Sequence, residues 1–214
     1  MLEFIELPFT RFNEIIGKFS GFTKINTAIY KMGSKMNEWH NRIQRITSIF
    51  DNEFGGLPEE DLNWKSSESK WSIAQIMQHI ITTNRSYFPL FNLIKNNKFN
   101  SPWIGKFPPL PSFMGKMILS YVRPDMKKKS KTVEIWEPSY SIIPVEILNR
   151  FKLHQEEFMQ WIDLLDEYFD TNLIIRSPAS RIIVYSLDTA IEIMVAHEER
   201  HLNQARDVLR VKDQ

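Results

Sequence analysis

The 214-residue chain contains no cysteine. This absence excludes disulfide bonds, thiolate metal ligands and a thiol nucleophile from its chemistry. The first residues, Met1 to Glu6, are acidic where a secretory signal would be basic, so we expect no signal peptide. A cysteine-free chain without such a signal is compatible with a cytoplasmic protein, and that is the location we expect.

The chain also lacks a strong net charge and a long apolar run. Its 27 basic and 26 acidic residues give a net charge of +1, so the composition does not predict a nucleic-acid partner. No apolar run approaches the ~20 residues that a membrane span needs, so we expect no membrane partner. Hydrophobic residues at 43% and charged residues at 25% are typical of a globular protein with a full core.

Helical periodicity is strong in four segments. One helix start is marked by Ser72 and Gln75, which have the spacing of a capping box, with Trp71 and Ile76 at the staple positions on either side. Pro144 suits the first position of another helix. Apolar residues repeat at helical spacing in four ranges: 37–54, 73–95, 144–169 and 186–210.

Four long amphipathic helices predict an all-α fold, a four-helix bundle. The connection between the second and third helices, residues 96–142, is long enough to let those two helices run in the same direction. We interpret its lysine run, 127–131, as a solvated loop, and 132–138 as an extended segment over one end of the fold. Residues 1–35 are expected to form an N-terminal extension, and residues 36–214 the bundle.

Two histidines in the last helix carry the main functional signal. His197 and His201 are four residues apart, so they lie one turn above each other on one helix face. At about 100° per residue that face also carries Leu187, Met194 and Val208, so both imidazoles point towards the core. A buried pair of rings needs partners for four nitrogens, and each unsatisfied one costs ~1–3 kcal/mol. A metal ion between them would meet that need.

A third histidine, His79, lies at the edge of the apolar face of the second helix. If the second and fourth helices are antiparallel neighbours, His79 falls within about one or two turns of the height of His197 and His201. Three imidazoles suit zinc, nickel, iron or copper and leave at least one coordination position for water or substrate. A lone histidine in the place of His79 would more often be an ordinary residue at the edge of the core.

The pattern Trp71-Ser72 followed by His79, together with a last helix reading His197-x-x-x-His201-x-x-Gln204, resembles the DinB-like (DinB/YfiT) superfamily. The resemblance covers about residues 36–212. It implies an up-down-down-up four-helix bundle with a divalent metal, such as zinc, nickel or iron, held by His79, His197 and His201. The named activities of that superfamily include thiol-dependent transferases and isomerases. The resemblance therefore implies a small-molecule substrate, with a low-molecular-weight thiol as a candidate partner.

Four other polar residues have two interpretations each. Gln204 either bonds to an imidazole ligand or is an ordinary residue on the flank of the helix. His154 is expected to be a buried structural histidine, with a fourth ligand as the alternative. Glu198 is expected in a salt bridge or on a partly exposed flank rather than as a general base. His40 is expected to be structural or on the surface.

Three functions follow from the sequence. The first is a metal-dependent transferase or hydrolase acting on a small molecule through an activated thiol or water. The second is a helical bundle that binds a metal or a small ligand without turnover. The third is a metal-free interaction bundle, in which the histidines are hydrogen-bonded core residues. A homodimer, the commonest oligomer, is compatible with all three.

Overall fold

The computed structural model describes residue 33 and residues 35–125, 132–139 and 141–214. The chain divides into two compact units, Met1–Glu38 and Trp39–Gln214. The expected N-terminal extension lies outside the described residues apart from positions 33 and 35, and so does the lysine run at 127–131.

The described part of the chain is mostly helical and includes a small two-stranded sheet. Its α-helices are α1 (residues 35–54), α2 (Glu59–Asn63), α3 (Ile73–Arg85), α4 (Phe88–Lys95), α5 (Leu110–Val122), α6 (Ile147–Leu164) and α7 (Leu187–Lys212). The strands β1 (Ile174–Ser177) and β2 (Ser180–Ser186) form an antiparallel pair. Among the described residues, no helix has the length and apolar content needed to cross a membrane.

The beginnings of two helices follow the local sequence signals. Ser72 accepts a hydrogen bond from the Gln75 backbone N–H at 3.2 Å, and its own N–H donates to Gln75 Oε1 at 3.1 Å. This is the predicted capping box, and it starts α3 at Ile73. Ser186 caps α7 by accepting from the Thr189 N–H. These caps fix the starts of the two helices that carry the histidines.

Contacts link the four long helices: α1 contacts α6 and α7, and α3 contacts α6 and α7. Between α1 and α7, Arg42 donates to both Glu192 and Glu199 at 2.8 Å. Between α1 and α6, the rings of Phe50 and Phe151 lie 4.6 Å apart. Helix α3 contacts both α6 and α7. The core lies between these four helices.

Three connections differ from the predictions. The predicted helix 73–95 is divided at Ser86 and Tyr87 into α3 and α4, and Pro89 lies in the first turn of α4, where its missing N–H leaves no carbonyl unpaired. The region expected to be a long loop contains α5. The loop before α7 forms the β1–β2 hairpin, so the fold is mostly helical with a small sheet rather than all-α. Ile175, Val184 and Tyr185 of the hairpin are buried, which favours the pleated backbone of a sheet.

The segment 132–138, expected to be extended, contains a 3-10 turn at Glu134–Trp136 that contacts α3. Two bonds tie the residues after this turn to α3. Gln75 Nε2 donates to the Ser139 carbonyl at 2.8 Å, and the Ser139 N–H donates to Gln78 Oε1 at 2.7 Å. These bonds hold the turn against the part of α3 that carries His79.

Candidate metal centre

Helices α3 and α7 bring together three of the five histidines of the chain. His79 extends from α3, and His197 and His201 extend from successive turns of α7. The Nε2 atom of His197 lies 3.3 Å from Nε2 of His79 and 3.0 Å from Nε2 of His201. One ligand atom from each ring lies within 4.8 Å of the other two, so the three residues could hold a metal ion. We call these three residues the histidine cluster.

Hydrogen bonds on the outer side of the cluster orient two of the rings. His79 Nδ1 lies 2.7 Å from the Trp136 carbonyl oxygen, and His201 Nδ1 lies 2.9 Å from Gln204 Oε1. Both oxygens only accept, so each Nδ1 must donate. In a neutral imidazole the Nε2 atom then has a free lone pair, and both lone pairs face the centre of the cluster.

The donor set fits a divalent cation. His197 Nε2 can carry only one hydrogen, so it cannot donate to His79 and His201 at once. The Nδ1 atom of His197 is buried and has no hydrogen-bond partner among the described residues. When the single hydrogen of this ring is on Nδ1, the lone pair of Nε2 becomes the third that points towards the centre of the cluster. Three imidazole lone pairs at this separation repel one another, and a shared cation removes that repulsion.

Burial keeps the three rings uncharged. Burial lowers the pKa of His79 to about 4, although the hydrogen bond with Trp136 opposes that shift. Burial, with repulsion from neighbouring imidazoles, places the pKa of His197 and His201 well below its ordinary value. Metal binding requires neutral imidazoles, so at neutral pH the cluster is already in the protonation state that a metal needs.

The cluster is mostly buried and has an aromatic ring beside it. His79 and His201 are buried, whereas His197 is partly exposed. The indole of Trp71 lies 4.6 Å from the His79 ring and 6.0 Å from the His201 ring between centroids. Trp71 is also partly exposed. A small molecule that reached the cluster here would meet an apolar ring beside the three nitrogens.

A buried polar group lies next to the cluster. Both carboxylate oxygens of Glu198 accept hydrogen bonds, Oε1 from Asn84 Nδ2 at 2.6 Å and Oε2 from Gln155 Nε2 at 2.7 Å. Asn84 Nδ2 also lies 3.2 Å from His154 Nε2. Burial raises the pKa of Glu198 to about 7, against the opposing effect of the two amide bonds. Glu198, Asn84, Gln155 and His154 form what we call the amide–carboxylate network.

The network corrects one prediction. Glu198 was expected in a salt bridge or on a partly exposed flank, but its side chain is fully buried and bonded to two amides. The cause is that α7 packs against several elements, among them α3 and α5. Its buried surface is therefore wider than the single stripe used for the prediction, and it includes Ile191 and Leu202 beside Glu198.

The structure separates the remaining histidines from the cluster. His154 is fully buried and bonded to Asn84, and it does not belong to the group that could hold a metal. His40 is partly exposed, and its Nε2 lies 3.3 Å from Asp163. Gln204 contacts an imidazole of the cluster, as one of its two interpretations proposed.

Two parts of the site escaped the sequence analysis. The Trp136 carbonyl that orients His79 is a backbone atom 57 residues away, and no side-chain pattern signals it. The position of Trp71 beside the imidazoles was missed because the residue was interpreted as a staple at the helix start and as part of the family pattern, with no contact assigned to it. The signal available was its place eight residues before His79, about two turns along the chain.

The sequence profile of the DinB superfamily matches residues 42–205, which include all three residues of the histidine cluster. No curated protein and no solved structure matches the chain. The matched range covers α1 to α7 except for their outer ends, and so most of the chain. The chain therefore belongs to the DinB superfamily.

Proposed function

We propose that His79, His197 and His201 bind one divalent metal ion, zinc, nickel or iron. The observation that carries the proposal is the convergence of three Nε2 atoms, two of them on rings whose Nδ1 atoms donate to fixed oxygens. Oxygen acceptors at Nδ1 are the usual partners of metal-binding histidines, since they fix the tautomer and raise the basicity of the ligand nitrogen.

We propose further that the site is catalytic. His79, His197 and His201 would hold a divalent ion with three protein ligands, and such an ion would lower the pKa of a water or thiol towards neutrality. The protein supplies the arrangement around it. Trp136 and Gln204 hold two rings in place, Trp71 shields one side from water, and partly exposed His197 marks the side from which a small molecule enters.

The reaction that we propose is transfer of a low-molecular-weight thiol to a small electrophile, or hydrolysis of a small molecule. Support comes from the three-ligand set, since structural zinc sites usually have four protein ligands. Membership of the DinB superfamily supports a metal site but does not distinguish the two reactions. The absence of cysteine means that any thiol has to come from outside the chain.

We propose an up-down-down-up bundle for the four long helices. The supporting observation is the order of contacts along each pair. Helices α1 and α7 run in the same direction in this arrangement, because residue numbers rise together along the pair. Trp39 is bonded to Glu192, and Glu53 is bonded to Arg206. Residue numbers also rise together between α3–α4 and α6. Asn84 of α3 contacts His154, and Phe91 of α4 contacts Trp161.

A cobalt-substituted protein tests the thiol reaction. Cobalt(II) replaces zinc in nitrogen and sulfur sites and absorbs visible light, and a thiolate bound to it adds a charge-transfer band in the near ultraviolet. We expect the wild type to show this band when 2-mercaptoethanol is added. The variant with His79, His197 and His201 replaced by alanine should show none. The variant His40→Ala, which removes a histidine outside the cluster, should behave as the wild type does.

The two reactions give different results. Cobalt binding with the thiol band supports the transferase. Cobalt binding without the band, together with hydrolysis of an activated ester that the triple variant does not catalyse, supports the hydrolase. Cobalt binding with neither result would contradict the catalytic proposal and leave a metal-binding bundle.

A further inference from the structure

A short segment outside the long helices holds the oxygen that orients His79. We call residues 132–139 the strap, and it contains the 3-10 turn at Glu134–Trp136. The Trp136 carbonyl accepts from His79 Nδ1 at 2.7 Å, and the Trp136 indole N–H donates to Ser86 Oγ, just beyond the end of α3, at 3.2 Å. The place of the acceptor at His79 Nδ1 therefore depends on what holds the strap.

Burial of apolar side chains contributes little to holding the strap. Val133 and Ile135 are 40% and 59% exposed. Trp136 is partly exposed, and Pro138 is the only buried residue of the strap. Hydrogen bonds to α3 must therefore supply much of what fixes its position.

Two glutamines of α3 bond both backbone groups of Ser139. Gln75 Nε2 donates to the Ser139 carbonyl at 2.8 Å, and Gln78 Oε1 accepts from the Ser139 N–H at 2.7 Å. Gln75, Gln78 and His79 have the spacing i, i+3, i+4, so one side of α3 carries all three. One glutamine thus supplies a donor and the other an acceptor to the same residue of the strap.

The capping box determines which atom of Gln75 meets the strap. Gln75 Oε1 accepts from the Ser72 N–H at 3.1 Å, so the amide nitrogen is the atom directed at Ser139. Glutamate closes a capping box as well as glutamine does, but it has no N–H for the Ser139 carbonyl. The glutamine at this position therefore starts the helix and also anchors the strap.

We propose that Gln75 and Gln78 are positioning residues of the metal site, which act on His79 through the strap. They hold Ser139, three residues after Trp136, and the Trp136 carbonyl keeps the ring proton of His79 on Nδ1. The lone pair of His79 Nε2 is then directed at the histidine cluster. The inference rests on the proposed metal site only in its effect on metal affinity, because the place of the ring proton is a property of the metal-free protein.

The tautomer of His79 tests the proposal without metal. The ¹⁵N chemical shifts of the ring nitrogens, measured by NMR with a chelator present, distinguish a proton on Nδ1 from one on Nε2. The chain has five histidines, so signals are assigned from single-histidine variants. We expect the Nδ1–H form in the wild type. The double variant Gln75→Glu/Gln78→Ala, which frees Ser139, should show a mixture of the two forms.

Zinc affinity tests whether the effect reaches the metal site. Competition with a chromophoric chelator measures it. Gln78→Ala removes the acceptor for the Ser139 N–H and should weaken zinc binding ~2–12-fold, the equivalent of one hydrogen bond. Gln78→Glu keeps an acceptor oxygen there and should bind zinc at least as tightly as the wild type.

The same change at Gln75 should have the opposite result. Gln75→Glu keeps the acceptor of the capping box but loses the donor to Ser139, so zinc binding should weaken ~2–12-fold although a negative charge has been added. A purely electrostatic effect would strengthen binding at both positions. The matched control is Gln160→Ala, at an exposed position of α6, which should bind zinc as the wild type does. Circular dichroism on each variant establishes that the helices are intact.

Three results would overturn the proposal. The first is a single Nδ1–H form of His79 in the double variant. The second is equal zinc affinity for Gln75→Glu and Gln78→Glu. The third is equal zinc affinity for Gln78→Ala and Gln160→Ala. If the wild type binds no zinc, the proposed metal site fails, and the tautomer of His79 alone decides whether the two glutamines position this ring.

Discussion

Replacing Asn84 by alanine should destabilise the protein more than replacing Gln155. The two amides both donate to the buried Glu198 carboxylate, at 2.6 Å and 2.7 Å. Asn84 Nδ2 has a second contact, with His154 Nε2 at 3.2 Å. Asn84→Ala therefore removes the donor to two buried acceptors, Glu198 and His154, whereas Gln155→Ala removes the donor to Glu198 alone.

The expected magnitudes follow from this difference. Above pH 7, where Glu198 is ionised, a hydrogen bond to its charged carboxylate contributes ~1.5–3 kcal/mol, and a buried acceptor left without a partner costs ~1–3 kcal/mol. Gln155→Ala should thus lower the free energy of unfolding by ~1.5–3 kcal/mol, and Asn84→Ala by ~2.5–6 kcal/mol. Asn203→Ala, at an exposed position of α7, is the matched control and should change it by less than ~0.5 kcal/mol.

Equilibrium unfolding in urea with a chelator present measures these values without any contribution from bound metal. The slope of the free energy against urea should be the same in all variants, so that a shift in midpoint reports stability. Equal losses for Asn84→Ala and Gln155→Ala would refute the assigned double role of Asn84. A loss below about 1 kcal/mol for Asn84→Ala would refute the network itself.

Three further predictions concern the site and its support. Gln204→Ala should weaken zinc affinity ~10–100-fold, because it removes the acceptor at His201 Nδ1; competition with a chromophoric chelator measures this, and an unchanged affinity would contradict it. Burial lowers the pKa of His154 to about 3, whereas an unfolded imidazole titrates near 6.5. At His154 the unfolded chain therefore takes up a proton as the pH falls below about 6.5 and the folded protein does not, so this residue alone lowers stability by up to ~1.4 kcal/mol per pH unit. In chelator, His154→Gln should reduce that slope, and an unchanged slope would show that His154 does not cause it. Gly115→Ala should lower the melting temperature, because its Cβ would meet Thr189; an unchanged melting temperature would show that α5 adjusts freely.

The sequence was sufficient for the helices whose signals are local. The capping box at Ser72 and Gln75 placed the start of α3 correctly, and the apolar period placed α7. The spacing of His197 and His201, with His79 on a neighbouring helix, was sufficient to bring the three residues together. Such predictions succeed because caps and helical faces depend on residues only three or four positions apart.

The remaining features depend on contacts between distant parts of the chain. Helix α5 was missed because it is apolar on both faces, one packed on β2 and α7 and the other exposed, so it shows no period. Glu198 was misplaced because its partners, Asn84 and Gln155, come from two other helices. The Trp136 carbonyl is a backbone atom, and backbone atoms are the same in every sequence.

The metal content of the purified protein tests the central claim most directly. Protein prepared without a histidine tag is analysed by mass spectrometry for metals, beside the variant with His79, His197 and His201 replaced by alanine. The account predicts about one equivalent of a divalent metal in the wild type and none in the variant. No metal in the wild type, even after incubation with zinc, nickel and iron(II), would contradict it. The three histidines would then be hydrogen-bonded core residues.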